Sequence, residues 1–135
     1  MPGSFFDSNV LLYFASGDPV KADRVEALIA EGGTISVQVL NEMALVMRRK
    51  FRYDWPRVAA ALAGVRHALE VVPIDLATHV RGLALAERYG FHIYDAMIAA
   101  AAIDAGCDTL WSEDMHEGLL VDDRLRVRNP FSGVD

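Results

Sequence analysis

Short apolar strands alternate with helical segments along the chain, and this alternation limits the possible folds more than any other feature. The first strand, at residues 4–7, runs on into 9–14, and further strands are predicted at 34–37, 69–74, 109–112 and 125–128. Helices are predicted at 19–31, 39–50, 55–66, 75–90 and 92–106, and Asp18, Asp54 and Asp75 precede three of them as capping residues. Such alternation produces βαβ units. We therefore predict an α/β fold in three α/β/α layers, with a central, mostly parallel twisted sheet.

The composition indicates one globular domain over residues 1–135. Hydrophobic residues make up 53% of the chain and charged residues 24%. No apolar run approaches the roughly 18 residues of a membrane span, and the amino terminus lacks the basic start of a signal peptide. The single Cys107 suits a reducing compartment, so we expect a cytoplasmic protein without a membrane segment. The net charge of −6 argues against a nonspecific nucleic-acid binder, and the high apolar content favours a surface covered by a partner.

A candidate site residue, Asp95, lies near the start of the alanine-rich helix predicted at 92–106, which ends at Gly106. Asp95 shares a helix face with Ile98, Ala99 and Ala102, and that face is apolar. An ionised carboxylate on a packing surface needs a cation nearby, since the helix dipole contributes only about 0.3–1 kcal/mol. A metal ion would supply that charge. The alternative is that Asp95 is simply the N-cap of the helix.

Three more acidic residues occur where strands end or helices begin. Asp7 and Asp114 follow the predicted first strand and the strand at 109–112, respectively. Glu42 lies near the start of its helix, on a face that carries Val39, Leu45 and Val46. Because the functional crevice of a parallel sheet lies at the carboxyl ends of its strands, we expect these acids to converge there with Asp95.

Four carboxylates cannot all ionise in one dry cleft unless a cation offsets their mutual repulsion. Mg²⁺ or Mn²⁺ would do so and could promote phosphodiester hydrolysis, whereas scattered histidines and one cysteine do not predict zinc. Ser112 either offers a hydroxyl to this site or bonds its own turn. Asn9 either holds Asp7 in place or caps a short helix after it.

Four segments carrying these residues resemble the acidic motifs of the PIN domain family, most closely its VapC-like toxin branch. They are FDSNVLLY at 6–13, SVQVLNE at 36–42, YDAMIAAA at 94–101 and WSED at 111–114, in the order of the family. The resemblance implies a metal-dependent ribonuclease in which Asp7, Glu42, Asp95 and Asp114 are the acidic residues and Ser112 the small hydroxyl residue. It also implies a toxin held inactive by a cognate antitoxin, often as a dimer. The final motif departs from the commonest pattern, because Glu113 to Glu117 lack an acid two residues after Asp114.

On this hypothesis Asp7, Asp95 and Asp114 hold the ion, directly or through water, and Glu42 orients the attacking water or completes the ligand set. The main alternative is a PIN-like module that binds RNA or protein without turnover. A phosphoacceptor signalling domain is disfavoured, because Asp7 lacks an adjacent acid and no lysine follows the last strand.

Two basic segments are candidate RNA contacts. The first combines Arg48, Arg49, Lys50 and Arg52 with aromatic residues, which suits phosphates and unstacked bases. In the second, Arg124, Arg126 and Arg128 alternate and so share one side of a strand. The alternatives are a solvated helix end and an edge strand protected by charge. As partners we expect RNA, a small antitoxin that inserts a basic residue toward the acids, and a second copy of the chain.

Overall fold

The computed structural model describes residues 3–132. Its strands are β1 (Ser4–Phe6), β2 (Thr34–Ser36), β3 (Glu70–Val72), β4 (Thr109–Trp111), β5 (Leu120–Val121) and β6 (Leu125–Arg128). Its α-helices are α1 (Ser8–Leu11), α2 (Pro19–Ala30), α3 (Val37–Arg49), α4 (Trp55–Ala68), α5 (Leu76–Tyr89) and α6 (Ile93–Asp104), and a 3₁₀ turn covers Leu12–Ala15. No helix within 3–132 combines the length and apolar character needed to cross a membrane.

The strands form one sheet in the order β3-β2-β1-β4-β6-β5. All neighbouring strands are parallel except β5, which runs antiparallel to β6. β1 is central, and Phe6 at its end pairs in register with Trp111 at the end of β4. The predicted three-layer α/β/α fold with a mostly parallel sheet is confirmed, and the carboxyl ends of β1 and β4 lie side by side.

Local sequence signals account for most helix boundaries. The side chains of Asp18, Asp54 and Asp75 accept hydrogen bonds from the first-turn amides of α2, α4 and α5, as predicted. Gly106 follows α6 with a φ of 78°, a left-handed conformation that glycine adopts at little cost. The small side chains of α6 are buried almost throughout, and this helix contacts β2, β4 and β6. Its alanines therefore allow a close approach of helix and sheet.

Three predictions about the elements are wrong. β1 ends at Phe6, and the expected continuation at 9–14 is helical, because Asp7 caps α1 and turns the chain. The segment 113–123, between the strands predicted at 109–112 and 125–128, has no predicted strand but contains β5, which is only two residues long and so carries almost no periodic signal. Leu45 is 50% exposed, so the face of α3 that carries Glu42 is only partly buried.

Candidate active site

Asp7 lies between β1 and α1 and is only 3% exposed. Its Oδ1 accepts a hydrogen bond from the Ser8 amide at 2.7 Å, and its Oδ2 accepts one from Ser112 Oγ at 2.8 Å. Asn9 Nδ2 lies 3.5 Å from Oδ2. Burial raises the pKa of Asp7 to about 7 against the lowering effect of the Ser112 bond, and the charges of Asp95 and Glu42 add to the rise. Burial and the neighbouring acids thus disfavour the ionised form of the Asp7 carboxyl.

Glu42 is held by two polar side chains that the sequence analysis did not single out. Its Oε1 accepts a hydrogen bond from Ser8 Oγ at 2.9 Å, and its Oε2 accepts one from Gln38 Nε2 at 2.6 Å. Ser8 Oγ also lies 3.4 Å from Oδ1 of Asp7. The Ser8 hydroxyl therefore links the first and second of the predicted acids.

Asp95 lies in the first turn of α6 and is half-buried. The N-cap of α6 is His92, whose Nδ1 accepts a hydrogen bond from the Tyr94 amide at 3.3 Å, so the alternative of Asp95 as the cap is wrong. Burial raises the pKa of Asp95, and the charges of Glu42 and Asp114 raise it further. These couplings bring Asp95 into the same electrostatic cluster as the other predicted acids.

Asp114 is exposed just beyond β4, whereas Ser112, two residues earlier, is fully buried. Ser112 Oγ donates to Asp7 and also accepts a hydrogen bond from the Met115 amide at 3.3 Å, so it combines both of its predicted roles. Asn9 accepts a hydrogen bond from the Glu113 amide at 3.3 Å and does not cap a helix. Asn9 and Ser112 thus tie the end of β4 to the end of β1.

An open cleft of about 620 Å³ is lined by two of the four predicted acids, Glu42 and Asp114, and Asp7 and Asp95 are not among its lining residues. Glu42, Asp114, Ser8 and Asn9 contribute polar groups to its lining, and Lys50 lies along it as well. Much of the remaining wall is apolar, with Leu12, Leu45, Val46 and Phe51. The cleft could therefore accept a ligand that carries both polar and apolar parts.

The polar lining of the site is rich in carboxylate, amide and hydroxyl oxygens, the donors that hard divalent cations prefer. Within residues 3–132 no ion pair involves Asp7, so its charge has no cationic side chain to offset it. Across the same residues no group of three or more His, Cys, Asp or Glu side chains is arranged to hold a metal ion directly. The donor chemistry suits Mg²⁺ or Mn²⁺ if the ion contacts one or two carboxylates and reaches the others through water.

Ser8 and Gln38 are the residues that sequence reasoning missed at this site. Gln38 precedes Glu42 by four positions on α3, a spacing that places the two side chains together on a helix and could have been recognised. Ser8 carries a weaker signal, because a serine after a capping aspartate most often bonds locally. Only the fold, which brings α1 against α3, makes Ser8 a partner of Glu42.

The predicted RNA contacts of the first basic segment are dispersed. Arg48 lies over the exposed ring of Trp55 at 4.5 Å and donates to the Tyr53 carbonyl at 2.9 Å. Arg49 lines a depression together with Arg48 and Trp55, and Arg52 is exposed. Of the four predicted residues, Lys50 alone lies along the main cleft described within 3–132.

Two of the acids, Asp7 and Asp114, follow β1 and β4 at the carboxyl edge of the parallel sheet, where open α/β proteins have their functional sites. The PIN domain family model matches residues 4–116, and the chain belongs to this family.

Solved structures confirm the fold. The chain is similar to a toxin-antitoxin complex from Klebsiella pneumoniae, with 21% identity, a TM-score of 0.71 and coverage of 94% of this chain and 97% of that one. It is also similar to DNA-bound VapBC from Salmonella typhimurium, with 20% identity, a TM-score of 0.72 and coverage of 96% and 99%. VapC20 of Mycobacterium tuberculosis, a toxin that cleaves the sarcin-ricin loop, shows 20% identity, a TM-score of 0.67 and coverage of 82% and 89%. No curated protein matches the chain in sequence.

Proposed function

We propose that this protein is an endoribonuclease of the VapC-like branch that depends on Mg²⁺ or Mn²⁺ and hydrolyses RNA phosphodiester bonds. The observation that carries the proposal is the buried Asp7, which is coupled electrostatically to Asp95 and Glu42 and has no cationic side chain within 3–132 to balance it. Such an arrangement is unfavourable without a bound cation. Membership of the PIN domain family supports the same chemistry.

We assign Asp7, Asp95 and Asp114 to the metal, with one or two of them as direct ligands and the rest in contact through water. When bound, a divalent ion would offset their charges, polarise the scissile phosphate and lower the pKa of a water molecule. Ser112, Ser8 and Asn9 fix the carboxylate of Asp7, so it is positioned before any ligand arrives. Asp114 is exposed and free to reorient toward substrate and solvent.

Glu42 has a separate role in this proposal. Both of its carboxylate oxygens already accept hydrogen bonds, from Ser8 and Gln38, which fixes the side chain at the cleft wall. A fixed carboxylate can orient an attacking water and accept its proton. Completing the ligand set of the ion is the alternative, and it would require Glu42 to give up one of these two hydrogen bonds.

The biological setting we propose is a cytoplasmic toxin with a cognate antitoxin, present as a homodimer. The similar structures from Klebsiella pneumoniae and Salmonella typhimurium are complexes of toxin with antitoxin. The apolar wall of the cleft, next to the acids, suits a partner segment that pairs an apolar face with a basic residue. Such a residue would compete with the metal for the carboxylates.

The test is cleavage of an end-labelled RNA by wild type, Asp7→Asn and Asp23→Asn, each with Mg²⁺, with Mn²⁺ and with a chelator. Asp7→Asn should lose about 100-fold or more in rate, because asparagine keeps the helix cap but removes the charge that holds the ion. Asp23→Asn is the matched control, since Asp23 is exposed on α2. Full cleavage by Asp7→Asn, or by wild type in chelator, would refute the proposal.

The same assay distinguishes the endoribonuclease from the second candidate, a PIN-like module that binds RNA or protein without turnover. The second candidate predicts that wild type binds RNA and leaves it intact with either metal. The Ser8–Glu42–Gln38 hydrogen bonds favour the catalytic alternative, because they position a carboxylate that binding alone does not need.

A further inference from the structure

A cationic surface lies on the sheet beyond the cleft that Glu42 and Asp114 line, which we call the acidic cleft. Arg126 and Arg128 alternate along β6, so their side chains share one face of the sheet. Trp111 pairs with Arg128 in register and lies on the same face. Arg24 reaches over from α2, with its guanidinium carbon 5.8 Å from the Trp111 ring centroid. We call these four residues the arginine surface.

Two of its guanidinium groups are fixed by the protein backbone. Arg24 Nε donates to the Pro130 carbonyl at 3.0 Å, and Arg126 Nη1 donates to the Gly118 carbonyl at 2.7 Å. Trp111 is fixed as well, because its Nε1 donates to Ser4 Oγ at 3.2 Å. A guanidinium has five N–H donors, so each fixed arginine keeps further donors for a ligand. The conformational entropy of ordering these side chains has already been lost on folding.

The charge of this surface is largely uncompensated. Among residues 3–132, the ion pairs of the molecule involve none of its three arginines. Among the described residues that line the depression beside this surface the acid is Glu117, which accepts hydrogen bonds from Ser132 Oγ and from the Asn129 amide. Three arginines thus gather around one carboxylate in a protein whose net charge is −6.

Edge protection does not explain these arginines. In the sheet β6 lies between β4 and β5, so it is not an edge strand, and its charges are not needed to block pairing with another chain. The alternative interpretation of the basic strand is therefore wrong for Arg126 and Arg128. Arg124 precedes β6 and lies outside the surface.

A lysine on α2 links this surface with the acidic site. Lys21 lies one turn before Arg24 on α2, and its Nζ is 3.9 Å from an oxygen of Glu113, the neighbour of Asp114. On the sheet, the Ser112 amide donates to the Arg128 carbonyl at 2.9 Å, so β6 is directly beside the residue that bonds Asp7. The arginine surface therefore lies close enough for one strand to occupy both places.

We propose that the arginine surface binds phosphates of an RNA strand whose scissile bond lies in the acidic cleft. This inference rests on the RNA cleavage proposed above. Arginine forms bidentate hydrogen bonds with phosphate, and fixed guanidinium groups beside a depression of about 330 Å³ suit a backbone that passes along the sheet. The contacts are to phosphate, so they position the strand and do not select its sequence.

The test measures binding of a fluorescein-labelled single-stranded RNA of about 12 nucleotides by anisotropy, in chelator, at several KCl concentrations. Arg24→Gln/Arg128→Gln is compared with Arg66→Gln/Arg88→Gln, which removes the same charge from exposed positions outside the surface. Loss of two phosphate contacts should lower the slope of log Kd against log salt by about 1.4. Affinity in 0.1 M KCl should fall about tenfold, while the control pair stays near wild type.

A second readout uses cleavage with metal present. For the RNA of about 12 nucleotides, Arg24→Gln/Arg128→Gln should raise KM with little change in kcat. For an RNA of about four nucleotides, which is too short to reach the arginine surface, the same variant should change neither constant. Equal salt slopes for both variants would overturn the inference while leaving the cleavage proposal intact. Wild type that neither binds nor cuts RNA would overturn both, and wild type that binds a polyglutamate peptide but no RNA would identify an acidic protein segment as the ligand instead.

Discussion

The protonation of Asp7 is coupled to the stability of the fold. Its carboxyl is 3% exposed, and burial raises its pKa from 3.8 to about 7. The folded state therefore binds a proton more tightly than the unfolded state does. Between pH 4 and pH 7 the unfolded chain releases this proton first, so the free energy of unfolding falls as the pH rises.

We predict that Asp7→Asn is more stable than wild type at pH 8 in chelator and that this advantage is absent at pH 4. The expected gain is about 2–4 kcal/mol, because asparagine keeps the cap and has no charge to bury. Urea denaturation of both proteins at the two pH values measures it. A difference between the proteins that does not vary with pH would show that Asp7 is not the group responsible.

Individual site residues differ in how far the sequence could predict them. Asp7 is buried and Asp95 half-buried, and the charge of each acts on the other predicted acids, so both stand out in the sequence as acids in apolar surroundings. Ser8 could not be predicted, because its bond to Glu42 spans 34 positions and depends on how α1 and α3 pack. The basic residues were least predictable, since a long side chain can reach several surfaces from one backbone position.

At the scale of single elements, β1 is fitted tightly against the start of β2. A Cβ added to Gly33 would lie 2.5 Å from Cε2 of Phe6 and 2.9 Å from the Ser4 carbonyl oxygen. Phe6 is a fully buried ring that precedes Asp7, so it has little room to move. Gly33 is thus required for the position of the strand that carries the first acid.

We predict that Gly33→Ala lowers the free energy of unfolding by about 2–3 kcal/mol, because overpacking forces β1 or the Phe6 ring to shift. The matched control is Gly64→Ala on α4, where an added Cβ meets nothing within 4 Å. Alanine should stabilise that exposed helical position by up to about 1 kcal/mol. Urea denaturation compares the two, and equal effects would contradict the tight fit at Gly33.

Elements bounded by a capping aspartate or a terminating glycine were predictable, and elements without such residues were not. Aspartates capped α2, α4 and α5, and Gly106 ended the α6 segment, because each satisfies a specific backbone requirement. β5 consists of Leu120 and Val121, and its existence depends on pairing with β6 across the turn at Asp122 and Asp123. Nothing in two residues distinguishes such a strand from a loop.

At the scale of the whole molecule, α5 leaves an apolar stripe unpaired. Leu76, Val80 and Leu83 are 76%, 59% and 48% exposed, and their spacing places them along one side of the helix. The buried residues Thr78, Gly82 and Leu85 belong to the side that packs inside the molecule. The stripe is the surface to which we assign the proposed homodimer.

We predict that light scattering after size exclusion gives twice the monomer mass for wild type and the monomer mass for Val80→Glu/Leu83→Glu. Two buried charges on each side of a symmetric contact oppose association. Val20→Glu on α2 is the control, because Val20 is 54% exposed and distant from the stripe in sequence. Wild type that stays monomeric at high concentration would contradict the dimer.

The position of β1 between β2 and β4 has a consequence for synthesis. The Asp7 oxygen that accepts the Ser112 hydrogen bond has its partner 105 residues later in the chain, so the first acid is held in place only after β4 and Ser112 have been synthesised. A ribosome that has not yet translated Ser112 therefore carries an incomplete acidic centre. For the proposed activity, the order of the strands delays RNA cleavage until β4 has paired with β1.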